Sequence, residues 1–295
     1  MSTQPPFDPA SLAAGTVVGD KYVLGPPIGW GAQSVVYECT HRLLHRKAAL
    51  KILAATDEES ERRFAREARM AASLGHPNVV EVYEVGRLSD GRAFLAMERL
   101  EGETLEARLE REGPLSIAEA LRVGREVLLG LGAAHEKSIV HRDLRPQNIF
   151  LAQVRGEEVV KLVDFGVSRR FGAEGDSSLT HAGRLLGEEI HYVAPEQLYE
   201  NGVIDQRTDL YAVGVLLYRM LAGVSPFRGK GSQLLLDVVE RMPPAPSTHR
   251  SKLPRDIDNV VMSALAKDKE GRFKDAESMR EALRLAGLFA SYVEG

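Results

Sequence analysis

The sequence predicts an α+β fold in two lobes, a small antiparallel β lobe carrying one helix and then a larger, mainly α lobe. Three observations carry this. Over residues 19–100 the apolar residues fall in short alternating or β-branched runs broken by Gly and Pro, with one helical stretch among them. Past residue 101 the apolar period becomes that of amphipathic helices. Two short strands interrupt those helices, and each lies beside a motif built on aspartate. The boundaries read from this are a disordered leader over 1–18, a first lobe over 19–100 and a second over 101–290.

Residues 1–18 are rich in Pro, Gly, Ala and Ser, which predicts poor order. Tyr22–Leu24, Ser34–Cys39 and Lys47–Leu53 read as strands. Between the first two lies Ile28-Gly29-Trp30-Gly31-Ala32-Gln33-Ser34-Val35-Val36. Two glycines this close suit a hairpin turn. They also let the backbone approach a bound group, whose phosphates free N–H groups can cradle. Trp30 at the tip is either a plain exposed aromatic or a lid over a nucleotide. Lys51 stands alone in the apolar strand Ala48–Leu53, either facing water or held as an ammonium in a cleft. Asp57–Leu74 reads as a helix with Phe64, Ala68 and Ala71 on one face. Glu67 lies beside that face, as a surface carboxylate or as a partner for Lys51. Gly75-His76-Pro77-Asn78 ends the helix, and strands Val79–Val85 and Arg92–Glu98 follow around Asp90-Gly91, a strong hairpin signal.

After Glu101-Gly102 a short helix spans Thr104–Glu112. Ser116-Ile117-Ala118-Glu119 is a capping-box pattern and opens a long helix with Ile117, Leu121, Val127, Leu128 and Leu131 inward. Strands Asn148–Ala152 and Val159–Val163 turn at Arg155-Gly156. A polar loop covers Ser168–Leu186, and helices resume at about Thr208–Leu221, Lys230–Glu240, Pro254–Ala266 and Lys274–Leu288.

A net charge of −4 gives no basic field for nucleic acid or an anionic membrane. The single cysteine, Cys39, excludes a disulfide within the chain, fits a reducing cytoplasm, and reads as a small apolar filler of its strand. The first residues lack the basic-then-apolar pattern of a signal peptide. The longest apolar run, Tyr211–Met220, is short and carries Arg219, so it reads as a buried helix and not a membrane span. The eight histidines are scattered, with no His/Cys cluster for zinc.

The chemistry concentrates in His141-Arg142-Asp143-Leu144-Arg145-Pro146-Gln147-Asn148 and in Asp164-Phe165-Gly166. An aspartate placed to take a proton, with an Asp and an Asn placed to hold a metal, is what phosphoryl transfer needs.

Together, in this order and spacing, these pieces resemble a bacterial eukaryotic-like (Hanks-type) serine/threonine protein kinase domain, from about Tyr22 to about Leu288. The resemblance implies a protein-kinase-like fold and ATP with Mg²⁺ (or Mn²⁺) as cofactors. It implies that Gly29, Gly31 and Ser34 form the glycine-rich loop over the phosphates, with Ser34 replacing a third glycine. Lys51 would hold the α- and β-phosphates and Glu67 would pair with it. Ile28, Val36 and Ala49 complete the nucleotide-binding set, with Met97 as gatekeeper and Glu98 and Leu100 as the hinge. Asp143 would be the catalytic base, Asn148 and Asp164 the metal ligands, and Phe165 a packing residue between lobes. His135 and His141 fall where the family uses histidine structurally. Ala194-Pro195-Glu196 with Arg272 matches the family's buried ion pair. Asp209 would brace the catalytic loop, or cap its own helix, or both. Arg142 implies activation by loop phosphorylation, with Thr180 ranked ahead of Ser177 and Ser178.

Two departures stand at the substrate side. The family has Lys two residues after the catalytic Asp, where this chain has Arg145. Counted back from Ala194-Pro195-Glu196, the family's Gly-Thr falls on Glu188 and Glu189; if Gly187 is the equivalent glycine, the loop has an inserted residue and Glu188 stands for the threonine, and either way the threonine is missing. A Lys-to-Arg and a Thr-to-Glu change at touching positions predicts a salt bridge from Arg145 to Glu188 or Glu189. The alternative is a displaced loop with both glutamates in solvent. Arg145 joins Asp143, Lys51 and Glu67 in the catalytic set.

The function this implies is γ-phosphate transfer from ATP to protein serine or threonine, with activation-loop autophosphorylation. The alternative is a pseudokinase or weakly active nucleotide-binding scaffold. Expected partners are protein substrates and a homodimer for phosphorylation in trans, with no nucleic acid and no membrane span in this chain. The expected location is the cytoplasm, as a free protein or as the cytosolic domain of a longer membrane-anchored kinase.

Overall fold

A computed structural model describes residues 12–31, 34–54, 58–165 and 188–293. The chain divides into two compact units, Met1–Glu101 and Gly102–Gly295.

The first unit is built on a six-stranded antiparallel sheet in the order β1-β2-β3-β4-β6-β5. Its strands are β1 Val17–Val18, β2 Tyr22–Trp30, β3 Ser34–His41, β4 Lys47–Leu53, β5 Val82–Arg87 and β6 Ala93–Glu98. The β5–β6 turn forms where Asp90-Gly91 predicts it. Gly91 adopts φ +91°, and Asp90 accepts the Arg92 N–H at 3.0 Å. Helix α1, Glu58–Leu74, buries Phe64, Ala68 and Ala71, and Phe64 and Ala68 join Leu53, Ala93 and Leu95 in one cluster. A second cluster holds Val35, Tyr37, Cys39, Leu50, Ile52, Phe94 and Ala96. Cys39 is fully enclosed there, and burial, with Glu38 beside it, pushes its thiol up to about 12, so it is the inert filler the sequence suggests.

Strand β2 runs six residues beyond the expected Leu24, through Pro26 and Pro27. Register shifts between Leu24, Pro27 and Gly29 absorb the prolines, which donate no ladder hydrogen bond. Strand β5 starts at Val82 and not Val79, with Val79 and Val80 buried ahead of it.

The second unit carries a three-stranded sheet, β7 Gly102–Thr104, β8 Ile149–Val154 and β9 Glu157–Leu162. Its helices are α2 Leu105–Glu112, α3 Ile117–His135, α4 Gln206–Ala222, α5 Gly231–Glu240, α6 Arg255–Ala264 and α7 Ala276–Val293. Helix α4 is buried almost all round, as its nearly unbroken apolar sequence requires, and it packs on α3 and α6. At the start of α3 the Ser116 hydroxyl accepts the Glu119 N–H at 3.1 Å. The Glu119 carboxylate does not complete the expected box. It turns to Arg108, whose guanidinium also takes Glu103 at 2.7 Å and Glu158 at 2.8 Å, tying α2, β7, α3 and β9 together. Among the described residues no helix is long and apolar enough to cross a membrane.

Candidate active site

Residues 141–145 form no helix or strand, so other groups must fix their backbone. Arg142 sits at φ +66°, a costly conformation for a residue with a Cβ. Asp209, 1% exposed in the first turn of α4, supplies the restraint. Its carboxylate accepts the His141 and Arg142 N–H groups, each at 2.9 Å, and the His135 Nε2–H at 2.8 Å. A buried carboxylate with three donors is well compensated for lost hydration. Capping of α4 falls to Asp205, whose side chain accepts the Arg207 N–H at 2.9 Å, so Asp209 is the brace alone. Gln197 completes the restraint, donating to the Arg142 carbonyl at 3.0 Å while accepting the Ala194 N–H at 3.0 Å. Sequence reasoning missed Gln197, because a glutamine beside Pro195-Glu196 carries no pattern of its own.

The register of β8 and β9 places the oxygen-bearing residues at one end of a hairpin. Ile149 pairs with Leu162, and the Val163 N–H donates to the Asn148 carbonyl at 3.0 Å. Asn148 and Asp164 therefore flank the same hairpin end. Asn148 is buried and directs Nδ2 to the Asp143 carbonyl at 2.7 Å and to Asp143 Oδ2 at 3.2 Å. That orients Asp143 and leaves the amide Oδ1 as a hard oxygen donor. Asp164 adopts φ +55°. Phe165 is buried against the His141 ring at 4.7 Å between centroids, which gives His141 the structural role expected of it. Among the described residues no group of three or more His, Cys, Asp or Glu forms a metal cage. An Asn/Asp oxygen pair, with phosphate and water completing the shell, fits magnesium and fits zinc poorly.

Arg145 Nη1 donates to Glu189 Oε1 at 3.2 Å, and its Nε lies 3.6 Å from Asp143 Oδ1. Of the two glutamates expected to answer Arg145, it is Glu189 that does so, while the Glu188 side chain lies outside the described residues. Farther on, Arg272 forks both oxygens of Glu196 at 2.8 and 2.9 Å, and Thr208 Oγ1 donates to the same carboxylate at 2.8 Å. A second, part-buried pair had no sequence signal: Arg219 forks Glu106 and donates to the Tyr192 hydroxyl at 2.8 Å.

In the first unit, Lys51 is half-buried in β4 between buried Leu50 and Ile52, paired across to Val36 and Leu95. Ala49 pairs with Met97 and Ala48 with Glu98, so the expected nucleotide residues of β4 and β6 are neighbours. The Glu98 N–H donates to the Glu81 carbonyl at 2.9 Å. Leu100 follows β6. Ile28 and Gly29 lie near the turn-ward end of β2, which stops at Trp30, and Gly29 pairs with Val36 of β3. A Cβ added at Gly29 would meet nothing within 4 Å, and one at Gly31 only Ser34 Oγ at 4.0 Å. Among the described residues the packing of the unit does not itself demand glycine there. Trp30 is 43% exposed. Glu67 lies on α1, but its side chain is outside the described residues, as are Gly166, Ser177, Ser178, Thr180 and Gly187.

A family model described as protein kinase domain matches residues 22–283. The chain is 33% identical over 279 residues to the serine/threonine-protein kinase PrkC of Bacillus subtilis, covering 93% of this chain and 42% of that protein. It is 35% identical over 273 residues to PknB of Mycobacterium tuberculosis, covering 90% of this chain and 43% of that protein. The crystal structure of the Mycobacterium tuberculosis PknI kinase domain aligns with a TM-score of 0.73 at 27% identity, covering 93% of this chain and 98% of that one. The chain thus spans about two fifths of the length of PrkC and PknB.

Proposed function

The chain belongs to the protein kinase family, and on that premise we propose that it transfers the γ-phosphate of ATP to serine or threonine hydroxyls of proteins, itself included. The observation that carries this reading is the Asp143–Asn148 arrangement, a carboxylate held by a buried amide on a loop braced by Asp209. In the reaction the hydroxyl oxygen bonds to the γ-phosphorus as the bond from that phosphorus to the β–γ bridging oxygen breaks. The hydroxyl proton passes to Asp143, and ADP leaves.

Each residue has one task in this reading. Asp143 orients the hydroxyl and accepts its proton. Asn148 and Asp164 would hold Mg²⁺ (or Mn²⁺), which offsets charge on the phosphoryl oxygens. Lys51 would bind the α- and β-phosphates, with Glu67 its partner. Gly29, Gly31 and Ser34 would present backbone N–H groups to the phosphates. Ile28, Val36, Ala49 and Met97 would enclose the adenine, and the backbone of Glu98 and Leu100 would read its edge. Arg142 and the residues around Thr180 support activation by phosphorylation of the loop, and a transient homodimer is the simplest way for one copy to modify another. The reaction belongs in the cytoplasm, where ATP is available and a lone reduced cysteine is stable.

The test is a radiolabel assay with ATP and Mg²⁺ or Mn²⁺. Wild type labels itself and a generic protein substrate on serine or threonine. Asp143→Asn lowers the rate by about 10²–10⁴-fold while nucleotide binding is retained. Nucleotide binding by the wild type with no label transferred would establish the scaffold reading in its place.

A further inference from the structure

The kinase reading gives Asp143 a task but leaves unexplained why it forms a cluster of three side chains with Arg145 and Glu189. They are exposed to similar, limited degrees of 27%, 26% and 27%. The Arg145 guanidinium lies between two carboxylates. One corner, Nη1, is hydrogen-bonded to Glu189 at 3.2 Å. Another, Nε, is buried beside Asp143 at 3.6 Å, too far for a hydrogen bond, and has no acceptor among the described residues.

A guanidinium is a rigid plane whose donors point in fixed directions. Holding one corner therefore aims the others. Glu189 reaches Arg145 from 44 residues away in sequence, from the short turn Glu188–Tyr192 whose Ile190 is buried, so the tether is anchored and not a chance surface pair. Buried donors are nearly always satisfied, and one without a protein acceptor beside a reaction centre is placed to meet water or an atom of the substrate. The atoms that arrive beside Asp143 are the acceptor hydroxyl and the oxygens of the moving phosphoryl group. Both can accept a hydrogen bond.

We propose that Glu189 is a positioning residue that locks Arg145, so that the Arg145 Nε–H meets a substrate oxygen beside Asp143. This rests on the kinase reading above and deepens it. The pair acts as a unit. With Glu189 in place an ammonium at position 145 would serve poorly, because its rotatable donors are not aimed by a carboxylate tether, whereas beside a short hydroxyl, as in the family, it needs none. A short neutral partner could not serve either, because it would leave the arginine untethered. That is why both positions differ together from the Lys and Thr found in the family.

The experiment is a double-mutant cycle on the whole chain, Arg145→Lys, Glu189→Thr and both, read as kcat and KM for ATP and for a protein acceptor. Nucleotide affinity and melting temperature report that each variant folds. Each single variant lowers kcat about tenfold with the KM for ATP within about twofold of wild type, and the double variant recovers to within about threefold of wild type. Glu189→Gln, which keeps the Oε1 acceptor, retains more kcat than Glu189→Thr. Multiplicative loss in the double variant, or single variants with unchanged kcat, would overturn the pair. So would equal loss in Glu189→Gln and Glu189→Thr. A wild type that transfers no phosphate overturns the kinase reading instead, so the two failures are distinct.

Discussion

Asp209 and Arg272 illustrate how single buried charges hold this molecule's irregular segments. Arg272 directs all five of its N–H donors to acceptors: two to Glu196 and one each to the carbonyls of Ala266, Lys267 and Arg207. Only an arginine can supply that fork, which is why a lysine would not replace it. Asp209 is the reverse case, one carboxylate gathering three donors. Asp209→Ala leaves the buried His141 N–H and the part-buried Arg142 N–H without an acceptor. We expect a loss of about 3 kcal/mol in stability from the orphaned donors. We also expect a fall of at least about 100-fold in phosphate transfer as Asp143 loses its placement. Urea denaturation and the radiolabel assay measure the two effects. A variant that is destabilised but fully active would show that Asp209 supports the fold without positioning the loop.

At the scale of elements, the joining of strands β7 and β8 is a tight constraint. Gly102 adopts φ +134° and pairs with Ala152, and a Cβ there would lie 2.0 Å from the Leu151 carbonyl oxygen. Neither the backbone angle nor the space tolerates a side chain. Gly102→Ala should lower stability by about 2–3 kcal/mol and loosen the β7–β8–β9 sheet. That sheet sets the register of Asn148 and Asp164, so hydrogen exchange at Ile149–Val154 should rise in the variant. Unchanged exchange would mean β7 is dispensable to the hairpin. Sequence reasoning found β8, β9 and their turn from alternation and Arg155-Gly156. It missed the three-residue β7, because so short a strand has no measurable period of its own.

At the scale of the whole molecule, pH acts through clusters such as Asp205 with Arg207, Lys269 and Glu270. Burial pushes the Asp205 carboxyl up, but hydrogen bonds from Arg207 and Lys269 outweigh it and hold the group at about 2, against an ordinary value of 3.8. The folded state therefore binds the proton less readily than the unfolded chain. The resulting stability is present in full above pH 4 and is lost as pH falls from about 4 to about 2. With solvent screening the contribution is about 1 kcal/mol. Asp205→Asn keeps an oxygen for the helix cap and removes the charge. It should lower stability at neutral pH and flatten the profile between pH 4 and 2, as read by chemical denaturation at each pH. An unchanged profile would remove Asp205 from the acid response. Relatives such as PrkC and PknB are more than twice as long as the stretch they share with this chain.

The sequence by itself determined the family and the order of most elements, and it marked the candidate residues for ATP chemistry. Asp143, Asn148 and Asp164 were legible because their spacing is short and local, and a hairpin of fixed register follows from it. The helices were legible because each must bury one face, and burial imposes its period on the residues. What only the tertiary structure decided lies at long separation. It showed that Glu189 answers Arg145, that Asp205 and not Asp209 caps α4, and that Gln197 steadies Arg142. It also joined Arg219 to Glu106, which is 113 residues away in the chain. A polar residue that finds its partner across such a distance leaves no period in the sequence. Its role is fixed by the cost of burying it alone, and that cost arises only once the chain has folded.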